Sequence, residues 1–170
     1  MIFFSKKTYK LSKKEISKIL ELKDQSWSYG NLSQEKFFKR NIKKKDLHNL
    51  LFKSKKKDIL LGYTCFRLRK FLRFKKYFNY MLLDTIIVKK EFRKKNIGKK
   101  MMFFNNSLIK KKSCPSILFC KSKNINFFKL HKWKKILNSA YTVQNADKNK
   151  KYACMVFNFQ IPNAKIKQQI

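Results

Sequence analysis

Residues 80–104 hold the stretch of this chain best suited to chemistry. An almost unbroken apolar run, Tyr-Met-Leu-Leu-Asp-Thr-Ile-Ile-Val at 80–88, leads into the basic turn Arg93-Lys94-Lys95-Asn96-Ile97-Gly98-Lys99. Met101, Met102, Phe103 and Phe104 follow, with the look of a helix packing on a sheet. A strand, a turn and a helix start in that order bring unpaired N–H groups and the positive end of a helix dipole to the turn, where phosphate oxygens settle. Successive turn amides complete an anion nest, and a phosphate can approach backbone closely only past small or permissive residues. Gly98 is one, and Asn96 is the residue after glycine that best tolerates a left-handed conformation. Lys94, Lys95, Lys99 and Lys100 strengthen attraction for phosphates at moderate salt. The plain alternative is an ordinary strand, basic loop and helix.

Other residues are candidates for moving protons. Asp84 is the one carboxylate of nine acidic residues that lies inside an apolar run. Burial there would make it a better base near neutral pH. Equally, it could be a structural carboxylate paired with a neighbouring Lys or Arg, or with Thr85. His131 could serve as a general acid, or could face solvent on a helix. His48 could line a pocket or stabilise a turn. Trp27 and Tyr29 lie between the first two helical patterns, as acceptor-site residues or as core. The four cysteines (Cys65, Cys114, Cys120, Cys154) show no paired CxxC spacing and read as free thiols in a reducing compartment. Cys114, Cys120 and His131 match no familiar zinc spacing, so no metal is expected.

The elements that must position these residues follow from pattern. Ser12 with Glu15 three residues on signals a helix start, and Ile16, Ile19, Leu20 and Leu22 form its apolar stripe. A second helix begins at Ser33 and runs through Phe37, Phe38 and Ile42. Residues 48–53 and 59–69 read as strands joined by a lysine-rich turn at 55–58. In the second of these, Tyr63, Cys65, Arg67 and Arg69 alternate with Gly62, Thr64, Phe66 and Leu68, a half-exposed pattern. The run at 80–88 suits a strand buried on both faces near the middle of a sheet. The helix after the turn continues to about Lys111, and Pro115 resets the chain. A strand at 116–121, a short amphipathic helix at 124–134 and a closing strand at 152–159 complete an α+β chain with a mixed sheet.

Composition bounds the answer. With 170 residues, 44% hydrophobic and 17 of them Phe, the chain is long and apolar enough for one folded domain. No repeat and no Pro/Gly/Ser-rich linker divides it. No apolar run approaches a membrane span, and no uninterrupted h-region opens the chain, so a soluble cytoplasmic protein without a membrane partner is expected. The formal net charge is +35, yet only five of the 44 basic residues are Arg. Lysines are spread evenly, and Ile, Phe and Asn are also abundant, the vocabulary of AT-rich codons. A nucleic-acid surface would concentrate Arg on one element and carry a recognisable motif. Compositional drift and selected polyanion binding both remain readings of the charge. No specific nucleic-acid partner is expected; weak nonspecific binding at low salt fits either.

The stretch from Leu83 to Gly98 resembles motif A of the GNAT N-acetyltransferase superfamily. That motif is a strand ending in Val and then a turn of the form Arg/Gln-x-x-Gly-x-Gly/Ala. Arg93 and Gly98 stand at its first and last positions, and Asn96 replaces the first glycine. Residues 117–133 resemble motif B, which often ends Phe-Tyr-x-x-x-Gly-Phe/Trp. In one register Phe127-Phe128 match Phe-Tyr and Lys132-Trp133 match Gly-Trp. In the other, Asn124 matches the family asparagine and His131 stands where the family tyrosine acid would be. The resemblance is clearest over residues 60–160, within a single domain spanning 1–170.

What the resemblance implies is a GNAT fold, a mixed central sheet flanked by helices, with acetyl-CoA as cofactor. Backbone of Ile86, Ile87 and Val88 would hold pantetheine, the turn from Arg93 through Lys94, Lys95, Asn96, Ile97, Gly98 and Lys99 would bind pyrophosphate, and Asn124 would assist. The expected reaction is attack of a primary amine on the acetyl thioester, with Asp84 and His131 as candidate catalytic groups. The acceptor would be an amino sugar or other small metabolite, and the enzyme a monomer or homodimer. The rival reading is a noncatalytic basic protein associated with RNA or the ribosome.

Overall fold

The computed structural model describes residues 1–73, 75–137, 141–143, 152–159 and 166–168. In chain order the elements are β1 (Ile2–Lys7), α1 (Lys13–Asp24), α2 (Asn31–Asn41), β2 (Leu47–Phe52), β3 (Leu60–Arg73), β4 (Lys76–Val88), α3 (Ile97–Lys111), β5 (Ser116–Cys120), α4 (Ile125–Leu130), β6 (Lys134–Lys135), β7 (Tyr141–Val143), β8 (Ala153–Phe157) and β9 (Ile166–Gln168). Strands pair in the order β1-β2-β3-β4-β5-β8-β6, with β9 beside β3 and β7 beside β9. β4 and β5 run parallel, whereas β1–β2, β2–β3 and β5–β8 are antiparallel. The α+β architecture with a mixed sheet is as expected. By density of contacts the chain forms two compact units, residues 1–67 with 84–102 and residues 68–83 with 103–170.

In the first unit, local chemistry fixes both early helices. Ser12 Oγ accepts the Glu15 N–H at 3.2 Å, and the Glu15 carboxylate accepts the Ser12 N–H at 3.0 Å, the reciprocal capping box that the spacing predicts. α2 starts at Asn31, two residues before the expected Ser33. Gly30 turns the chain there at φ 77°, its N–H donating to Asp24 at 2.8 Å, and Gln34 donates to the Trp27 carbonyl. Ile19, Leu20, Leu22 and Phe38 then pack with Leu50, Phe52, Tyr63, Cys65 and Ile87. A second cluster joins Leu51, Leu61, Ile97 and Met101. Alternation sends Leu50 and Phe52 into the first cluster and Leu51 into the second. An irregularity in register, with Leu51 opposite Gly62 but Phe52 opposite Leu60, leaves Leu61 as an extra residue. This bulge is why Leu61 joins the cluster that Met101 enters.

The second unit is built on β5, which pairs with β8 from Ser116↔Phe157 to Cys120↔Ala153, and β8 in turn pairs with β6. Phe71, Tyr80, Leu82, Ile117, Cys154 and Val156 form its core.

Several expectations need correcting. β1 is not among the expected strands: in Ile-Phe-Phe-Ser-Lys-Lys no residue is fully buried and Ser5 and Lys7 are exposed, as suits the end of the strand order. β3 is not half-exposed: every residue from Leu60 to Arg67 is buried, so its polar members are buried with the apolar ones. β4 begins at Lys76 rather than 80, four exposed residues preceding the apolar stretch. From Tyr80 to Leu83 the run is buried on both alternating faces, as its composition predicts; from Asp84 to Val88 only Thr85 and Ile87 are buried, and Asp84, Ile86 and Val88 are half-buried.

Candidate functional site

The end of β4 and the start of α3 form one continuous backbone feature. Lys89 N–H donates to the Leu61 carbonyl at 2.9 Å, so β4 stays paired with β3 to its last residue. Its pairing with β5 is confined to Met81↔Ser116 and Leu82↔Ile117. Among the described residues, β4 from 83 to 88 therefore has no strand partner on that edge. A substrate with amide groups could pair there as a strand does. Ile86, Ile87 and Val88 lie on this stretch; Ile87 is buried, and Ile86 and Val88 are half-buried.

The chain leaves β4 through a helical turn at 90–92, with Phe92 N–H on the Lys89 carbonyl and Arg93 N–H on that of Lys90. Lys94 and Asn96 then take left-handed φ values of 60° and 57°. Asn96 thus occupies the conformation for which its type was noted, at the position where the motif has glycine. Its carbonyl accepts the Lys100 N–H at 3.1 Å, opening α3. Ile97 is 4% exposed and anchors the helix start, while Gly98 lies in the first turn. Lys94, Lys95, Asn96, Lys99 and Lys100 are exposed. A fifteen-residue helix with its N-terminus framed by four ammonium groups suits a pyrophosphate and a further phosphate.

Arg93 has a different job from its neighbours. Its Nε donates to the Val88 carbonyl at 3.1 Å and its Nη2 to Ser26 Oγ at 3.1 Å. It ties the turn to the end of β4 and to the loop after α1.

Asp84 sits on β4 with both oxygens engaged. Arg67 donates to one at 3.0 Å and Thr85 Oγ1 to the other at 3.1 Å. The pair is well shielded, with side-chain exposures of 10% for Arg67 and 19% for Asp84. Arg67 Nε is buried with no hydrogen-bond partner. Lys23, in the last turn of α1, is 6% exposed, and its ammonium lies 4.5 Å from the Phe37 ring centroid. Desolvation pushes the Lys23 pKa down, and the charge of Asp84 opposes the shift. Sequence reading missed Lys23 and Arg67. Among 39 lysines, one at the end of an amphipathic helix carries no signal of its own.

His48 lies in neither a turn nor an open pocket. It is fully buried in β2, stacked between Phe38 and Tyr63. Thr8 Oγ1 donates to the Lys43 carbonyl at 2.7 Å and lies 2.8 Å from His48 Nε2, so Nε2 carries the ring proton. Nδ1 then accepts from Tyr63 OH at 2.7 Å. Burial pushes the His48 pKa down to about 4, and it also raises those of Tyr63 and Cys65. Trp27 and Tyr29 are exposed on the loop between α1 and α2.

The remaining candidates belong to the second unit. Asn124 is exposed and precedes α4. His131 ends α4, its ring against Phe127 at 4.9 Å and its carbonyl accepting from Asn106 at 2.8 Å. Lys132 has φ 65°, its N–H bonds to the Lys129 carbonyl, and Trp133 N–H reaches that of Phe128. This is a Schellman cap, with Phe128 and Trp133 edge to face across it. The residue at the motif B glycine position therefore adopts the left-handed geometry glycine favours, as Asn96 does in motif A. Trp133 is buried, and its indole N–H donates to Asn106. Among the described residues no group of three or more His, Cys, Asp or Glu could hold a metal ion, and no helix is long and apolar enough to cross a membrane.

This arrangement of strands and helices is the fold of the GNAT N-acyltransferases. Crystal structures similar to it include Escherichia coli ElaA, with 13% identity, a TM-score of 0.67, and coverage of 91% of this chain and 97% of that one. An acyl-CoA N-acyltransferase from Pseudomonas aeruginosa matches at 11% identity over 92% of this chain and 99% of its own, with a TM-score of 0.62. An aminoglycoside 6′-N-acetyltransferase complexed with coenzyme A matches at 12% over 95% and 99%, with a TM-score of 0.64. At such identities the likeness is one of fold. No family model matches the sequence, and no curated protein matches it.

Proposed function

We propose that the chain is an acetyl-CoA-dependent N-acetyltransferase, one domain across residues 1–170, acting on a primary amine of a small metabolite. The observation that carries this reading is the open edge of β4, which runs through a left-handed, lysine-framed turn into the N-terminus of α3. Backbone of Ile86, Ile87 and Val88 would pair with the pantetheine amides. The turn amides from Lys94 to Lys99 would cradle the pyrophosphate, with Arg93 fixing the turn rather than touching it. The similar folds of an acyl-CoA N-acyltransferase and of an aminoglycoside 6′-N-acetyltransferase complexed with coenzyme A support the assignment.

Bound acetyl-CoA would supply an activated thioester. The chain's own work is then to position an amine and polarise a carbonyl, chiefly by proximity and preorganised N–H groups. Asp84 is the carboxylate we place beside the acceptor amine, held in position by Arg67 and Thr85. Asn124 and His131 are proposed as cofactor contact and general acid, and each is tested by its own alanine substitution. The setting is a reducing cytoplasm, the species a monomer or homodimer.

The test is thiol release from acetyl-CoA at moderate salt over a panel of amines. Amine-dependent release that is lost in Gly98→Glu supports the proposal. The net charge of +35 keeps a second reading in play, a basic RNA-associated protein on the same fold. Absence of release, together with RNA binding that weakens steeply with salt, would replace the first reading with the second.

A further inference from the structure

Arg93 holds two parts of the first unit together. Lys89 N–H points to Leu61 on β3, so alternation turns the Val88 N–H and C=O to the open edge of β4. Arg93 Nε donates to that carbonyl, the last of the strand, at 3.1 Å. The same guanidinium reaches a residue 67 positions away, where Nη2 donates to Ser26 Oγ at 3.1 Å. Ser26 belongs to a braced loop. Its N–H and that of Trp27 bond the Lys23 carbonyl, Tyr29 N–H and Gln34 bond the Trp27 carbonyl, and Gly30 N–H bonds Asp24. Residues 26–30 are therefore one piece with the ends of α1 and α2, and they present Trp27 and Tyr29 at 40% and 71% exposure. Each half of this link is marginal by itself. Arg93 is exposed, and a hydrogen bond within reach of water adds little. Lys94 and Asn96, just beyond it, hold left-handed φ values that strain a residue with a Cβ. A planar guanidinium fixes both of its partners at once, so whatever holds the turn also holds the loop. An anion seated on the turn amides does this by shifting the turn towards the conformation that aims Arg93 at both acceptors.

We propose that Arg93 serves a bound cofactor as a latch and not as a phosphate contact: it is a positioning residue that holds the 26–30 loop at the end of the open β4 edge, so that filling the turn also shields Trp27. The inference rests on the acetyltransferase reading and assigns a role within its cofactor site. Coupling of this kind is reciprocal. If an occupied turn steadies the loop, the latched loop steadies the occupied turn. Cutting the latch at Ser26, on a different element from the turn, must then weaken binding at the turn itself. An Arg93 that met phosphate directly would make no such demand on Ser26.

The experiment follows acetyl-CoA at moderate salt in wild type, Ser26→Ala, Arg93→Ala and the double variant. Affinity is read by calorimetry, and exposure of Trp27 by acrylamide quenching, with Trp27→Phe identifying its share of the emission. Ser26→Ala and Arg93→Ala should each weaken binding by about fivefold. The double variant should be no weaker than the weaker single one, because both substitutions cut the same link. Binding should protect Trp27 from acrylamide in wild type, and that protection should be lost in all three variants. If Ser26→Ala binds acetyl-CoA as tightly as wild type, if the two losses add, or if Trp27 is not protected in wild type, the inference is overturned and the proposed cofactor site stands. If wild type does not bind acetyl-CoA, both fall together. Ser26→Ala, which removes one hydroxyl from a half-buried loop position, decides even where an Arg93 variant fails to fold.

Discussion

A side chain at Gly62 would collide with Met101: an added Cβ would stand 2.4 Å from the methionine sulfur and 3.2 Å from the Ile87 carbonyl oxygen. Gly62 is the residue after the Leu61 bulge on β3, and Met101 lies in the second turn of α3. The missing side chain lets α3 sit close against the sheet just below the turn at residues 93–96. The sequence marks Gly98 and Asn96 at the helix start, but the glycine that seats the helix is Gly62, on β3.

Gly62→Ala should therefore destabilise the fold by about 1–3 kcal/mol, the usual cost of an extra group in a packed place, and Met101 must move to admit it. Urea unfolding measures this directly. An unchanged midpoint would mean that the α3 packing is looser than described.

His48 makes stability depend on pH. Its folded pKa of about 4 lies below the ordinary 6.5, because burial disfavours the charged ring. Above pH 6.5 both states are neutral at this residue and its contribution is complete. Between 6.5 and 4 the unfolded chain takes up a proton that the folded chain refuses, so stability falls as pH drops, by on the order of 3 kcal/mol in all. Denaturant midpoints from pH 7.5 to 4.5 should decline, and His48→Gln should remove most of that slope. An equal slope in the variant would assign the dependence to other groups.

Lys132 holds a left-handed conformation in the cap after α4. Glycine adopts it without the steric cost that a Cβ brings, so Lys132→Gly should raise stability by about 0.5–1 kcal/mol despite the freedom it gives the unfolded chain. Thermal unfolding reads the gain. A loss of stability would show that the lysine makes contacts that outweigh the strain.

The local signals in this sequence were readable, and the distant ones were not. The Ser12–Glu15 capping box, the stripe through Ile19, Leu20 and Leu22, and the buried run from Tyr80 depend on neighbours a few residues apart. So did the turn at Asn96, because residue type and left-handed φ are linked within one residue. By contrast, Thr8, His48 and Tyr63 meet across 40 and 15 residues, and no periodicity reports such a pairing. Lys23 and Arg67 were hidden for another reason. In a chain with 44 basic residues, a buried cation is indistinguishable from a solvated one until its surroundings are known. The half-exposed reading of β3 failed the same way, since Thr64 and Arg67 look like surface residues but are buried.

Thermal unfolding with and without acetyl-CoA at moderate salt, on wild type and Gly98→Glu, tests the central claim most directly. At about 100 times its dissociation constant the ligand should add roughly 2.7 kcal/mol to wild-type stability. The glutamate, placed in the first turn of α3 against the expected pyrophosphate, should abolish that gain while leaving the unliganded midpoint close to wild type. A wild-type midpoint indifferent to acetyl-CoA, or one that rises equally in both proteins, would contradict the proposed cofactor site.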